Sequence, residues 1–285
     1  MIMGKLIQFC TEDSRKDGDF LHGHWPAAGM GDIIRTENRH FIMIDGGTTR
    51  KDAEDLLDIL EEEANGKPQV DLWVITHPHG DHTGALRAIV NDPALLARVE
   101  IKALCYSIPP LELTPWDQGS PKDILSITEK LGAPVITPHA EDELDVDGTK
   151  IKFFFTWEEY DKPETSGTFN ALSLIFKVTG KNKSAMFIGD STAKGPRYVY
   201  KKMEAEGRLD ELKSDIVQVA HHGLDGGDTW FYRAVDASIV LVPTSFGGGK
   251  YERMPEILCC GHNNYAKARA FTVMQAFSGT SSIEF

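Results

Sequence analysis

The chain has 285 residues, 41% of them hydrophobic and 9% aromatic, so it can bury a sizeable core. Forty-three acidic residues against 30 basic ones give a formal net charge of −13 at pH 7. That charge opposes non-specific binding to nucleic acid or to an anionic membrane surface. It does not exclude an enzyme that acts on nucleic acid, because bound metal adds positive charge that the count omits.

Several signals bear on where the protein works. The apolar run after Met1 is too short for a signal peptide, and no apolar run approaches the roughly 20 residues that span a bilayer. The four cysteines do not suggest a disulfide framework. We interpret the adjacent Cys259 and Cys260 as small buried apolar residues, with a soft-metal or redox site as the alternative. We therefore expect a cytoplasmic protein that does not bind membranes. The sequence does not specify its oligomeric state.

The first part of the chain predicts a strand, a loop and a hairpin. Residues 2–9 form the strand, and His22 and His24 fall in the loop, where we interpret them as loop residues rather than metal ligands. Two strands joined by a polar turn then end at Asp45-Gly46-Gly47. Asp32 and Asp45 either support a nearby site or are ordinary turn aspartates.

The richest cluster of metal-binding side chains follows the next strand. An amphipathic helix over residues 51–64 leads into the apolar run 70–75, and His77-Pro78-His79-Gly80-Asp81-His82 comes directly after it. Imidazole nitrogen and carboxylate oxygen together suit zinc, manganese or iron. The sequence therefore predicts a metal site at the end of this strand.

The middle of the chain alternates between helices and strands. A helix begins near Gly84, residues 99–105 alternate as a strand, and residues 107–119 form a long loop that we expect to line a substrate pocket. A second helix covers residues 121–131. Strands follow at 134–137 and 150–155, with His139 between them.

Two more strands end in candidate ligands. The hairpin of residues 171–178 and 184–188 ends at Gly189-Asp190, where a carboxylate at the end of a buried strand is costly unless something pairs with it. A helix is predicted from near Ala193. The strand 215–220 ends at His221-His222-Gly223.

The last part of the chain predicts a strand over 238–243, a glycine run at 247–249, a closing helix over 265–277 and an edge strand at 282–285. Lys250, Arg253 and His262 could bind phosphate, although the glycine run reads more simply as a flexible loop. No composition shift or linker marks a boundary, so we predict one domain spanning residues 1–285.

These motifs resemble the metallo-β-lactamase fold superfamily. The His-x-His-x-Asp-His sequence after a buried strand is its signature, and it implies an α/β protein with a four-layer αββα sandwich that holds two metals between two sheets. The Gly-x-Gly-Asp hairpin, His-His-Gly and Asn-x-x-Ser at Asn170 and Ser173 are similar to the subgroup related to the metallohydrolase domain of bacterial DNA-uptake (competence) channels.

The resemblance implies roles for the strand-end residues. Asp190 corresponds to the aspartate that bridges the two metals. Asp81 would also orient the attacking water, His222 would act as an acid or support the site, and Asn170 would stand where many members have a further metal-binding histidine, with His139 as the alternative. The metal ligands implied are His77, His79, Asp81, His82, Asp190 and His221.

The expected chemistry is hydrolysis by a metal-activated water, with one or two zinc ions or else manganese or iron. The subgroup resemblance and the missing histidine favour a phosphodiester or nucleic-acid-type substrate over an amide or carboxylic ester. A lactonase or thioesterase, an iron-loaded redox enzyme and a non-catalytic metal-binding scaffold stay as alternatives, because the fold does not fix the substrate.

Overall fold

The structure of the chain is a computed structural model that describes residues 3–11, 29–115, 117, 121–159, 168–223, 225–243, 261–275 and 279–285. The predictions for His22 and His24, for Trp116 in the long loop, for residues 247–253 and for Cys259 and Cys260 lie outside these residues.

The described residues form two β-sheets with helices on the outer face of each. The helices are α1 (Arg50–Glu63), α2 (Gly80–Asn91), α3 (Pro93–Leu96), α4 (Pro121–Leu131), α5 (Lys194–Ala205), α6 (Thr229–Val235) and α7 (Gly261–Arg269). The strands are β1 (Lys5–Gln8), β2 (Gly31–Arg35), β3 (Phe41–Asp45), β4 (Gln69–Val74), β5 (Glu100–Ile101), β6 (Leu104–Cys105), β7 (Val135–Ile136), β8 (Glu143–Val146), β9 (Thr149–Phe155), β10 (Ile175–Thr179), β11 (Ser184–Phe187), β12 (Ile216–Gln218), β13 (Ile239–Val242), β14 (Thr272–Gln275) and β15 (Ser281–Glu284).

Strand direction brings the ligand-bearing ends together. The first sheet has the order β15-β1-β2-β3-β4-β6-β7, with β5 beside β4, and the second has the order β14-β13-β12-β11-β10-β9-β8. In the first sheet β3 and β4 are parallel, and in the second β11, β12 and β13 are parallel. Because parallel strands end at the same edge, residues that follow these strands meet there.

Alternation along the strands builds three buried layers. Ile33 and Met43 pack with α1, α2 and α4 on one face of the first sheet, whereas Ile34 and Ile42 point to the second sheet. The other face of the second sheet packs against α5, α6 and α7. This arrangement confirms the predicted four-layer αββα sandwich, while the single domain stays a prediction. Among the described helices, none is long and apolar enough to span a bilayer.

The structure departs from the sequence prediction in several places. Residues 99–105 form two short strands, β5 and β6, rather than one. The predicted closing helix is wrong in its second half, because α7 ends at Arg269 and residues 272–275 pair in parallel with β13 as β14. Pairing with a buried strand outweighs the helical pattern there. The sequence reading also missed β8 and α6.

Candidate metal centre

The site lies at the edge where strands of both sheets end. Asp45 ends β3, His77 follows β4, Asp190 follows β11, and His221 and His222 follow β12. The two sheets touch at this edge, since the Leu174 amide donates a 3.0 Å hydrogen bond to the Thr76 carbonyl. The fold thus gathers side chains from distant parts of the sequence, from Asp45 to His222.

The first donor group consists of His77, His79 and Asp190, whose candidate ligand atoms all lie within 4.8 Å of one another. Nε2 of His77 is 2.9 Å from Nδ1 of His79 and 3.7 Å from Oδ2 of Asp190. His77 and Asp190 are buried, and His79 is partly exposed.

The second donor group consists of Asp81, His82, Asp190 and His222. Oδ2 of Asp190 lies 3.3 Å from Nε2 of His82 and 3.4 Å from Nε2 of His222. Oδ2 of Asp81 is 3.4 Å from the same atom of His222. Asp190 belongs to both groups, as a carboxylate that bridges two cations would.

Each histidine of the two groups turns one ring nitrogen toward the other donors and the second toward a hydrogen-bond acceptor. The partnered nitrogens are Nδ1 of His77 with Thr76 Oγ1 (3.1 Å), Nε2 of His79 with the Asp117 carboxylate, Nδ1 of His82 with Asp45 Oδ2 (2.8 Å) and Nδ1 of His222 with the Pro243 carbonyl (2.8 Å). Such partners fix the ring orientation of ligating histidines and leave the facing nitrogen free to bind a cation.

Buried polar atoms without partners provide the test of whether a metal fits. Nε2 of His82, Nε2 of His222 and Oδ1 of Asp190 are buried and have no hydrogen-bond partner within the described part of the chain. Leaving such groups unpaired costs roughly 1–3 kcal/mol each. A cation held by these side chains would give the unpaired histidine nitrogens a partner, so the residues present fit a metal ion.

The electrostatics of the second group favour positive charge. Burial alone would lower the pKa of His222, but the carboxylates of Asp190 and Asp81 outweigh it and raise that pKa to about 9. Burial likewise opposes the charged form of His82, yet Asp190, Asp45 and Asp81 hold its pKa well above the usual range. In the first group, burial and the nearby His82 lower the pKa of His77 instead.

The backbone is strained at the same place. Asp45, His221 and His222 have positive φ angles of 55°, 46° and 56°, which L-residues rarely adopt. Asp45 is held there by its partners, since the Thr76 amide and hydroxyl each donate a 2.8 Å hydrogen bond to its carboxylate. The hydrogen bonds from Thr76 therefore fix the Asp45 carboxylate, which is the acceptor for Nδ1 of His82.

Helix α2 presses directly on the turn after β3. The Gly84 amide donates a 2.8 Å hydrogen bond to the Gly47 carbonyl, and a Cβ added at Gly84 would lie 2.0 Å from the Thr48 carbonyl oxygen. Only glycine permits this approach. The contact sets the position of Asp81 and His82 in the first turn of the helix.

His221 lies outside both donor groups. Its Nε2 is 3.7 Å from Oδ2 of Asp190 and 3.3 Å from Nδ2 of Asn170, while its Nδ1 contacts the Asp225 carboxylate. The sequence reading took His221 as the ligand and His222 as the acid or supporting residue. The geometry favours the opposite assignment, because His222 faces Asp81 and Asp190.

The two candidates for the middle ligand position differ clearly. Asn170 stands beside His221, and its Oδ1 is buried without a hydrogen-bond partner among the described residues. His139 is 58% exposed, pairs with Glu158 and is in neither donor group. Of the two predicted supporting aspartates, Asp45 contacts His82. Asp32 is buried, and no contact between it and the donor groups is seen within the described residues.

Two carboxylates at the site were missed by sequence reasoning. Asp117 holds His79 and accepts a 3.2 Å hydrogen bond from the Phe169 amide, and Asp225 holds His221. Asp117 falls in the long loop expected to line a pocket, but no spacing in that loop singles it out. A signal for Asp225, four residues after His221, is equally absent.

The family comparison decides the wider assignment. A model of the metallo-β-lactamase superfamily matches residues 33–242, which is most of the chain and includes every donor described above. The chain belongs to the metallo-β-lactamase superfamily. It is at this level a metallohydrolase with a candidate metal-binding site, and neither the substrate nor the metal is specified.

Solved structures share the fold at low sequence identity. The metallo-β-lactamase fold protein YhfI from Bacillus subtilis has 12% identity and a TM-score of 0.58, covering 99% of this chain and 100% of its own. Unliganded yeast PDE1 has 13% identity and a TM-score of 0.58, covering 100% of both chains. A diphosphatase from the PhnP family has 13% identity and a TM-score of 0.52, covering 99% of this chain and 98% of its own. No curated protein matches the sequence.

Proposed function

We propose that the protein is a metal-dependent hydrolase of phosphodiesters, acting on a small molecule or a nucleic-acid-type substrate. The observation that carries the proposal is the pair of donor groups that share Asp190 and leave buried lone pairs unpaired. His77, His79 and Asp190 would hold one ion, and Asp81, His82, Asp190 and His222 the other. Zinc is our first choice of metal, with manganese or iron as alternatives, since the donors are imidazole and carboxylate.

The metals would supply an activated water and positive charge for the transition state. The protein's own residues position the attacking water and the substrate. The side chain of Asp81 is 23% exposed, so its carboxylate can accept a hydrogen bond from an attacking water at the mouth of the site. His221, whose side chain is 29% exposed, lies 3.7 Å from Asp190, and Asn170 lies beside His221. Both side chains can donate hydrogen bonds to the substrate's non-bridging oxygens.

Three considerations favour a phosphodiester. Asn170, rather than a histidine, directly follows Phe169, whose ring lies 6.3 Å from the ring of His79, and the first donor group has three donors. The resemblance of Asn170 and Ser173 to the DNA-uptake subgroup points the same way. The structural neighbours named a diphosphatase and PDE1 suit phosphoryl chemistry, although they are similar in fold alone.

The test is hydrolysis by metal-loaded protein of bis(p-nitrophenyl) phosphate, a lactone and a thioester, with elemental analysis of the same preparation. We expect turnover of the phosphodiester, loss of turnover with a chelator and recovery when metal returns. Turnover of only the lactone or the thioester would overturn the substrate class. An active preparation without any transition metal would overturn the mechanism.

A further inference from the structure

The loop that carries His221 and His222 is held from behind by two buried side chains. Tyr232 on α6 is 2% exposed and Asn263 on α7 is 0% exposed. Neither lies in a donor group, and neither is used by the chemistry above. Their hydrogen bonds run to the backbone at both ends of the loop.

These hydrogen bonds link Tyr232 and Asn263 to each other and to the backbone of Ala220. The Ala220 amide donates to Tyr232 Oη at 3.1 Å, and Tyr232 Oη donates to Asn263 Oδ1 at 2.8 Å. Nδ2 of Asn263 donates to the carbonyls of Ala220 at 3.2 Å and Asp225 at 3.0 Å. A single orientation of the Asn263 amide satisfies all of these bonds, and both polar groups of Ala220 are paired.

The loop needs such a support because its conformation is unfavourable. His221 and His222 both have positive φ, and two successive non-glycine residues of this kind persist only where the surroundings hold them. Asn263 contacts Ala220, directly before His221, and Asp225, whose carboxylate contacts His221. A shift at either end would turn Nε2 of His222 away from Asp81 and Asp190.

We infer that Tyr232 and Asn263 are positioning residues that set the metal affinity of the second donor group by fixing the His221-His222 backbone. The inference rests on the proposed metal centre. It identifies two outer helices, rather than the strands that bear the ligands, as the parts that tune the site. Removal of a partner that orients a ligand typically costs about 10–100-fold in metal affinity.

The experiment compares Tyr232→Phe and Asn263→Leu with two controls. Tyr265→Phe removes a hydroxyl on α7 that contacts only Arg233 and Arg269 among the described residues, and Ile127→Val trims the core on the far side of the first sheet. The readouts are zinc affinity by competition with a chelating indicator, and hydrogen exchange of residues 219–223 in metal-free protein. Unfolding midpoints are recorded for every variant.

We expect both test variants to bind zinc at the second donor group about tenfold or more weakly and to exchange faster over residues 219–223. The controls should keep the parent values, even where Ile127→Val lowers the unfolding midpoint. Parent zinc affinity and parent exchange in a folded test variant would overturn the inference, as would equal zinc loss in Ile127→Val. If Tyr232→Phe does not fold, Asn263→Leu decides. A parent protein that binds no zinc refutes the proposed function. In that case, hydrogen exchange over residues 219–223 still decides whether Tyr232 and Asn263 fix the loop.

Discussion

The two donor groups share one carboxylate but differ in how completely they surround a cation. The second group offers four donors, and two of its histidine nitrogens are buried without partners. The first group offers three, and the sequence has Asn170 where the family resemblance implies a further histidine. Metal sites that keep a position open are typical of catalysis, whereas filled ones hold their metal more firmly. We therefore propose a tight second site and a weaker, substrate-accepting first site.

The largest effect should come from removing the shared donor. Asp190→Ala takes a ligand from both groups, so we expect loss of both metals and a fall in phosphodiester turnover of more than about 10⁴-fold, beyond a single acid–base group. The measurement is metal content and steady-state kinetics, with His139→Ala as the control because His139 is exposed and outside both groups. Equal metal loss in the two variants would refute the shared role.

A substitution in α2 should weaken zinc binding at the second donor group more than at the first. Gly84→Ala would place a methyl group 2.0 Å from the Thr48 carbonyl oxygen, so α2 must move. We expect a destabilisation of about 1–3 kcal/mol and weaker binding at the second group, which α2 supplies with Asp81 and His82.

Gly80→Ala is the matched control, because nothing lies within 4 Å of a Cβ added there. Denaturant unfolding and a zinc titration measure both effects. If Gly84→Ala kept parent stability and parent zinc binding, the close contact of α2 with the turn would not govern the site.

The carboxylates behind the histidines allow a sharper comparison. Among the histidines of the two donor groups, Asp117 contacts His79 and Asp45 contacts His82. We expect Asp117→Asn to weaken the first site and Asp45→Asn the second, each by about 10–100-fold. The measurement is a zinc titration of each variant. A weaker affinity of the tighter phase in Asp117→Asn would contradict the assignment of Asp117 to the first site.

The smallest expected effect is a gain in zinc affinity. Asn170→His offers the first group a further nitrogen, so we expect the weaker phase to tighten by about tenfold and the tighter phase to stay unchanged. Asn182→His makes the same change at an exposed position that contacts Glu284 and should alter neither phase. No change in Asn170→His would place Asn170 away from the first metal.

The sequence predicted the strand-end ligands because each follows a run of apolar residues, and such runs reveal both the strand and its end. His77, His79 and Asp190 were predicted in this way, and the structure brings their candidate ligand atoms within 4.8 Å of one another. The assignment within His221-His222 was not predictable, since the direction of each side chain depends on two positive φ angles that no pattern encodes.

Supporting residues were missed for a related reason. Asp117, Tyr232 and Asn263 reach the site through loops and outer helices, so their role depends on tertiary contacts rather than on spacing. Residues 272–275 illustrate the same limit in the fold, because pairing with β13 decides their structure. The sequence predicted the sandwich, which the structure confirms, and a set of candidate ligands. The contacts that orient those side chains required the structure.

The central claim is that His222, and not its neighbour His221, completes the tighter of two metal sites. A zinc titration of metal-free parent, His221→Ala and His222→Ala with a chelating indicator tests it directly. We predict two zinc ions per parent chain in two phases, with the tighter phase lost in His222→Ala and retained in His221→Ala. Loss of the tighter phase in His221→Ala, with His222→Ala binding as the parent does, would contradict the account.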